Sequence, residues 1–307
     1  MHIINPLDEL PSLFKGFPYC RQFNPLSKNI LVTAHPLVNQ QICLKKCAIT
    51  NPDLFNGLFH DINNNPLVYQ LLPYNSGGFI YKNNDYYLYA YNKVIGDTFT
   101  FTREKALNLG RALACLHNLL NKNDLPRNSF ALDNMIERFL SRRVNSLSNG
   151  TYRVKYVLEY LNKNPNVKYK AQYLIHGDVW AKNIITNTHG ITFIDFDSIR
   201  VFYTDYELMR CFFISLIDSI ITEVVPVNNY IHNLKGYFKS YVQICGLNLL
   251  SAFEFYLFIF CLECDVEDMA LHDTRMQVFL YKRNLLQLVL IKNINNILSV
   301  FTRLMEE

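Results

Sequence analysis

The chain has 307 residues, half of them apolar, with 30 basic against 26 acidic side chains and a formal net charge of +4 at pH 7. That is enough for one large or two ordinary domains with a sizeable core, and the weak, dispersed positive charge builds no phosphate-tracking surface, so nucleic acid is not an expected partner. The opening Met1-His2-Ile3-Ile4-Asn5-Pro6 has no cationic segment followed by a continuous apolar stretch, which predicts a cytoplasmic protein without a signal peptide.

In chain order, a short helix is expected near Leu7–Phe14. Asn29–Ala34 and Gln41–Cys47 follow as two strands joined through His35-Pro36-Leu37-Val38-Asn39. Residues 51–62 read as a helix. Leu67–Gln70, Gly78–Tyr81 and Tyr86–Tyr91 then complete a five-stranded antiparallel sheet. After Asn92–Asp97 the apolar period changes from 2 to 3.6. Thr102 is placed to cap a helix whose stripe is Ala106, Leu109, Leu113, Leu116 and Leu120. One or two further helices occupy 131–164, with an interruption near Ser146–Gly150.

The most informative stretch is 173–197. Leu174 and Ile175 lead into His176-Gly177-Asp178, and five residues after that aspartate comes Asn183, which opens the strand Ile184-Ile185. Asn187-Thr188-His189-Gly190 reads as a turn, and Ile191–Ile194 runs back to Asp195-Phe196-Asp197. The hairpin brings Asn183 beside Asp195, with Asp178 just upstream. Two oxygen ligands for Mg²⁺ and one carboxylate that orients an attacking hydroxyl are what phosphoryl transfer asks of a protein. On that reading Asn183 and Asp195 are the metal pair, Asp178 is the catalytic carboxylate and His176 packs the loop.

The form His-Gly-Asp, four residues, Asn, then Ile-Asp-Phe-Asp resembles the aminoglycoside phosphotransferase and choline kinase-like family, which includes homoserine kinase-like and spore-coat kinase-like members. The resemblance runs from about Asn29 to Met209. It implies an α+β, two-lobed protein-kinase-like fold with an N-terminal β-rich lobe at 1–91, a hinge at 92–97 and a mainly helical lobe at 98–307 carrying the hairpin and a substrate pocket. It also implies use of ATP or GTP with Mg²⁺. The phosphate-binding lysine falls on Gln41–Cys47, where Lys45 and Lys46 point to opposite faces, and Lys45, following the aliphatic Leu44, matches the family better. Backbone groups of Tyr89 and Tyr91 would meet the adenine edge.

The sequence departs from the wider kinase pattern in two respects: no glycine lies between Phe23 and Leu44, and residues 51–62 contain no glutamate to pair the strand lysine, leaving Asp53 or Asp61 as substitutes with shorter reach. Only nine residues, Phe196 to Thr204, separate Asp195 from the next helix at Asp205-Tyr206-Glu207-Leu208-Met209, too few for a peptide-docking segment. Glu207, or else Asp205, is expected to brace the catalytic loop. Glu263, Asp265, Glu267, Asp268 and Asp273 form an acidic run that, facing a cleft, would select a cationic acceptor.

Of the apolar runs, Cys211–Ile221 is short and carries Asp218, while Leu247–Leu262 holds Glu254; both read as buried helices and not as membrane spans. The eight scattered cysteines read as reduced, buried thiols, Cys261 and Cys264 included. The expected reaction is ATP- and Mg²⁺-dependent phosphorylation of a small-molecule hydroxyl. A catalytically silent module that binds nucleotide or a partner is the alternative, and a protein-directed kinase is disfavoured.

Overall fold

The computed structural model describes residues 21–22, 29–33, 41–47, 49, 52–73, 78–83, 86–122, 130–141, 148–217, 221, 230, 234–263 and 274–306. The expected helix near Leu7–Phe14 lies outside them. By its contacts the chain forms two compact units: Met1–Thr98 with Asn183–Ile199, and Phe99–Lys182 with Arg200–Glu307.

The first unit is built on a six-stranded sheet of β1 (Arg21–Gln22), β2 (Asn29–Thr33), β3 (Gln41–Cys47), β4 (Leu71–Leu72), β5 (Tyr81–Asn83) and β6 (Tyr86–Asn92). The order is β1-β2-β3-β6-β4, all antiparallel, with β5 also pairing β6. Two of the expected strands shift. Leu67–Gln70 is not a strand: Val68 makes an isolated bridge to Phe193, and Asn63 clamps the backbone of Leu71, accepting from its N–H at 2.6 Å and donating to its carbonyl at 3.0 Å. The ladder with β6 runs from Leu71, and Asn92 N–H at the end of β6 donates to the Gln70 carbonyl at 3.0 Å. Likewise Gly78–Tyr81 gives way to β5, which begins at Tyr81.

Helix α1 (Pro52–Ile62) starts on proline, whose missing N–H costs nothing at the first helical position. It buries Phe55, Leu58, Phe59 and Ile62. Phe59 lies edge-on to Tyr69 and Phe196, with ring centroids 5.7 and 5.5 Å apart. A three-stranded sheet completes the unit: β9 (Ile184–Asn187) lies between β10 (Gly190–Phe193) and β7 (Asp97–Thr98). The hairpin, assigned from sequence to 98–307, thus groups with the N-terminal unit through β7 and Val68.

In the second unit, Thr102 Oγ1 accepts from Lys105 N–H at 3.3 Å and caps α2 (Arg103–Leu120). Helices α3 (Phe130–Ser141), α4 (Ser148–Lys163), α5 (Thr204–Ser215), α6 (Lys235–Cys245), α7 (Leu249–Glu263), α8 (Thr274–Lys292) and α9 (Ile294–Glu306) follow. Helix α7 buries Leu249, Ala252, Phe253 and every residue from Phe255 to Leu262, the pattern of a helix surrounded by others. Among the described residues no single helix is long and apolar enough to cross a membrane; α6 with α7, and Gln277–Lys292 of α8 with α9, reach that length and apolarity only as pairs bent by 104° and 72°. Cys43, Cys115, Cys211, Cys245 and Cys261 are free thiols. A two-stranded ladder, β8 (Tyr173–Ile175) with β11 (Arg200–Phe202), leads the chain to His176. Asn121, just past α2, fixes that ladder, accepting from Leu174 N–H at 2.8 Å and donating to its carbonyl at 3.0 Å.

Helices α2 and α6 meet at Gly110, where an added Cβ would overlap the Tyr237 carbonyl oxygen and Ser240 Oγ. Gly110→Ala is therefore expected to lower the urea midpoint, costing about 1–3 kcal/mol or more with the slope unchanged. An unaltered midpoint would show that the two helices can separate freely.

Candidate active site

The hairpin sets the geometry of the first unit's polar cluster. Register pairs Phe193 with Ile184, and Ile194 N–H donates to the Asn183 carbonyl at 3.0 Å, so Asn183 and Asp195 adjoin at the open end of the hairpin. Asp195 has φ 70° and ψ 59°, alone among the described non-glycine residues in having a positive φ. Aspartate tolerates this left-handed conformation better than most side chains, at a cost the surrounding structure must bear. Phe196 bears it. Fully buried, its ring stacks on Tyr69 at 5.7 Å and meets Phe59 edge-on.

Lys45 is 5 % exposed on β3. Its ammonium is ion-paired with Asp195 and lies 2.6 Å from Asp197 Oδ2, and Tyr89 donates its hydroxyl to Asp197 Oδ1 at 2.6 Å. Burial works to lower the Lys45 pKa, but Asp197 and then Asp195 override it and leave it raised. Burial raises the Asp197 pKa, opposed by Lys45 and reinforced by Asp195. One cation thus faces two carboxylates, and the excess negative charge falls where Asp195, 36 % exposed against 19 % for Asp197, meets solvent. The lysine takes no carboxylate from α1: Asp53 and Asp61 both point to solvent, because the helix turns its aromatic face inward.

The structure places Tyr89 and Tyr91 inside β6, opposite Lys45 and Cys43 of β3, and pairs Tyr91 with Leu71 of β4 as well. Tyr89 contributes its side chain to the cluster.

In the second unit, β8 delivers His176-Gly177-Asp178 onto a buried carboxylate. Glu207, 1 % exposed near the start of α5, accepts from the N–H groups of His176 (3.1 Å) and Gly177 (2.6 Å), and its Oε2 lies 2.9 Å from His117 Nε2. His117 Nδ1 lies 2.6 Å from the Tyr241 hydroxyl. Burial alone would raise the Glu207 pKa; the bond and charge of His117, then His176 and the Gly177 N–H, bring it below the ordinary value. Asp205, the other candidate brace, pairs instead with Lys170 at 2.7 Å. Gly177 has φ 84°, a conformation open to glycine and costly for other residues. His176 is fully buried and accepts from Asp178 N–H at 3.3 Å through Nδ1. Asp178 Oδ1 receives Arg210 Nη2 at 2.8 Å. Ser215 Oγ accepts from Ala181 N–H at 2.8 Å and holds the turn that follows.

The donor set of the first cluster, an asparagine amide and two carboxylates, suits a hard divalent cation that keeps its remaining positions for water and phosphate oxygens. Among the described residues no group of three or more His, Cys, Asp or Glu forms a closed metal cage. Asp197, Arg210 and His117 were not singled out as site residues from the sequence. Asp197 stood in plain view as the second carboxylate of Asp-Phe-Asp; nothing local marked the other two. Of the acidic run, only Glu263 is described, and it is held by Tyr206 and Arg283; residues 264–273 lie outside the described residues.

Solved structures with the same architecture include an amicoumacin kinase in complex with AMP-PNP, Ca²⁺ and Ami (14% identity, 92% of each chain covered, TM-score 0.63). Others are an aminoglycoside phosphotransferase from Alicyclobacillus acidocaldarius subsp. acidocaldarius (12%, 94% of this chain and 93% of that one, 0.63) and a microcompartment-associated aminopropanol kinase (15%, 97% and 98%, 0.63). The chain has the α+β, two-lobed kinase-like fold. The three structures just named share it. No protein-family model matches the sequence, and no curated protein sequence matches it.

Because Glu207 titrates below the ordinary glutamate value of 4.5, the unfolded chain binds more protons in that window. Its contribution to stability is complete above 4.5 and is lost as pH falls through the lower folded value. Glu207→Gln is expected to cost about 2–4 kcal/mol at neutral pH, from a buried acceptor turned partly into a donor, and to flatten the acid limb of stability against pH. Wild-type-like unfolding at neutral pH and along the acid limb would remove Glu207 from its role as brace.

Proposed function

We propose that this chain is a phosphotransferase that moves the γ-phosphoryl group of ATP to a hydroxyl of a small molecule with the help of Mg²⁺. One observation carries the reading: a buried Lys45 held against Asp195 and Asp197 at the open end of a hairpin that also presents Asn183. The neighbours with this fold support it, since they are named as kinases of amicoumacin and aminopropanol and as an aminoglycoside phosphotransferase, the first holding AMP-PNP and Ca²⁺.

In this reading Asn183 and Asp195 would hold the metal, which would supply positive charge against the nucleotide phosphates. Lys45 meets the phosphates as a point charge, and Asp197 keeps the ammonium in place from behind, the task a helix glutamate performs in the wider kinase pattern. Asp178 accepts the proton of the acceptor hydroxyl as its oxygen forms the new bond to phosphorus and the bond to the β-phosphate oxygen breaks. Arg210 fixes Asp178 through Oδ1, and Glu207 fixes the loop that carries it. The silent-module alternative rested on the missing helix glutamate and the missing glycine-rich loop; Asp197 supplies a carboxylate to the same lysine and answers the first of these.

Thermal shift and phosphate transfer with ATP and GTP, with and without Mg²⁺, test the reading. Stabilisation by nucleotide is expected to depend on Mg²⁺ and to vanish in Asp195→Ala. Asp178→Asn should keep nucleotide binding and lose at least about a hundredfold in kcat. Nucleotide indifference of the wild type would leave a silent module. Asp197→Asn is expected to weaken nucleotide binding roughly tenfold, the worth of about 1.4 kcal/mol in holding Lys45, with the Mg²⁺ requirement intact. Binding equal to wild type would mean that Lys45 is positioned without it.

A further inference from the structure

Beside Asp178, helices α5, α7 and α8 bring Arg210 together with charged and phenolic groups that the chemistry above does not use. Arg210 gives Nη2 to Asp178 Oδ1, while its other terminal nitrogen, Nη1, is buried without a hydrogen-bond partner. About one helical turn back, Tyr206 donates to Glu263 Oε2 at 2.5 Å, and the same oxygen receives Arg283 Nη2 at 2.8 Å. Arg200 Nη2 lies 3.8 Å from Glu263 Oε1. The Tyr206 ring lies 5.7 Å from that of Tyr256, which is fully buried with its hydroxyl also unpartnered.

Buried polar groups are rarely left without a partner, and those that are call for an explanation. Guanidinium nitrogens only donate, and a phenol beside cations can donate as well. The complement to such a pair is an acceptor, and the strongest acceptor for a guanidinium is an oxyanion. Charge points the same way. Three guanidinium groups, of Arg200, Arg210 and Arg283, face the two carboxylates of Asp178 and Glu263. Glu263, which the sequence marks as part of a cation-selecting run, is neutralised by Arg283 and bonded by Tyr206.

We propose that this cluster is the acceptor subsite and that the acceptor is an oxyanion-bearing alcohol: Arg210 Nη1 and the Tyr256 hydroxyl take its carboxylate or phosphate while its hydroxyl meets Asp178. The inference rests on the phosphotransferase reading and narrows it to a substrate class. Arg210 is a specificity residue as well as a positioning one, because one rigid planar fork holds both the catalytic carboxylate and the substrate anion. The hydroxyl and the anion must then lie close together on a short molecule.

The test uses the full chain with Mg-ATP and matched acceptors: D-glycerate, L-serine and glycerol 3-phosphate against glycerol and ethanolamine, with Tyr256→Phe and Arg210→Lys as variants. At least one oxyanion-bearing acceptor is expected to exceed glycerol and ethanolamine by about tenfold or more in kcat/KM, and carboxylate and phosphate members separate the two anions. Tyr256→Phe should raise the KM of that acceptor roughly tenfold and leave the KM of Mg-ATP unchanged, about the loss of one charge-assisted hydrogen bond. Arg210→Lys, which keeps the charge but loses the fork, should narrow the preference for the anion. Preference for ethanolamine, an unmoved acceptor KM in Tyr256→Phe, or no response to any oxyanion by a chain that Mg-ATP stabilises would each overturn the subsite. A chain that Mg-ATP does not stabilise fails at the earlier step, and the subsite falls with the phosphotransferase reading.

Discussion

An ammonium group almost removed from water between two carboxylates is an expensive arrangement. Desolvation of each charge costs several kcal/mol, and burying an ion pair rarely adds net stability over a well-packed apolar substitute. What Lys45, Asp195 and Asp197 gain is position. The lysine is fixed from β3, Asp197 is fixed by the Tyr89 hydroxyl, and Asp195 is fixed by a strained backbone whose following residue is anchored in an aromatic core. Tyr69, Phe59 and the inward face of α1 exist in this sense to hold one left-handed aspartate still.

The second unit solves the same problem with a buried anion. Glu207 gathers two backbone N–H groups and an imidazole, so the loop bearing Asp178 is tied to α5 and α2 at once. A carboxylate accepting several such bonds is stabilised in its charged form even when buried. An apolar side chain in its place would leave the loop's backbone donors without an acceptor.

Much of this was legible in the chain. His176-Gly177-Asp178, Asn183 and Asp195 carry a spacing that a hairpin makes meaningful, and the alternation of Ile184–Asn187 and Gly190–Phe193 specifies that hairpin locally. Glu207 could be singled out because its place after a short segment is part of the same pattern. The pairing of Tyr89 and Tyr91 was not legible: an aromatic strand looks the same whether it borders a hinge or runs through the middle of a sheet. Arg210 and Tyr256 were invisible for a related reason. Their meaning lies in contacts between α5 and α7, some 40 residues apart in sequence, and no local period records which face of a fully buried helix meets which neighbour.

Gly177 has a consequence for the history open to this chain. Its φ of 84° admits no L side chain without about 1–2 kcal/mol of backbone strain, and its N–H is already spent on Glu207. An arginine there, as in the His-Arg-Asp loops of protein kinases, would have to bend the backbone away from the carboxylate that secures it. A single substitution here therefore carries that strain together with any loss of the Gly177 bond to Glu207, a combined cost that glycine avoids.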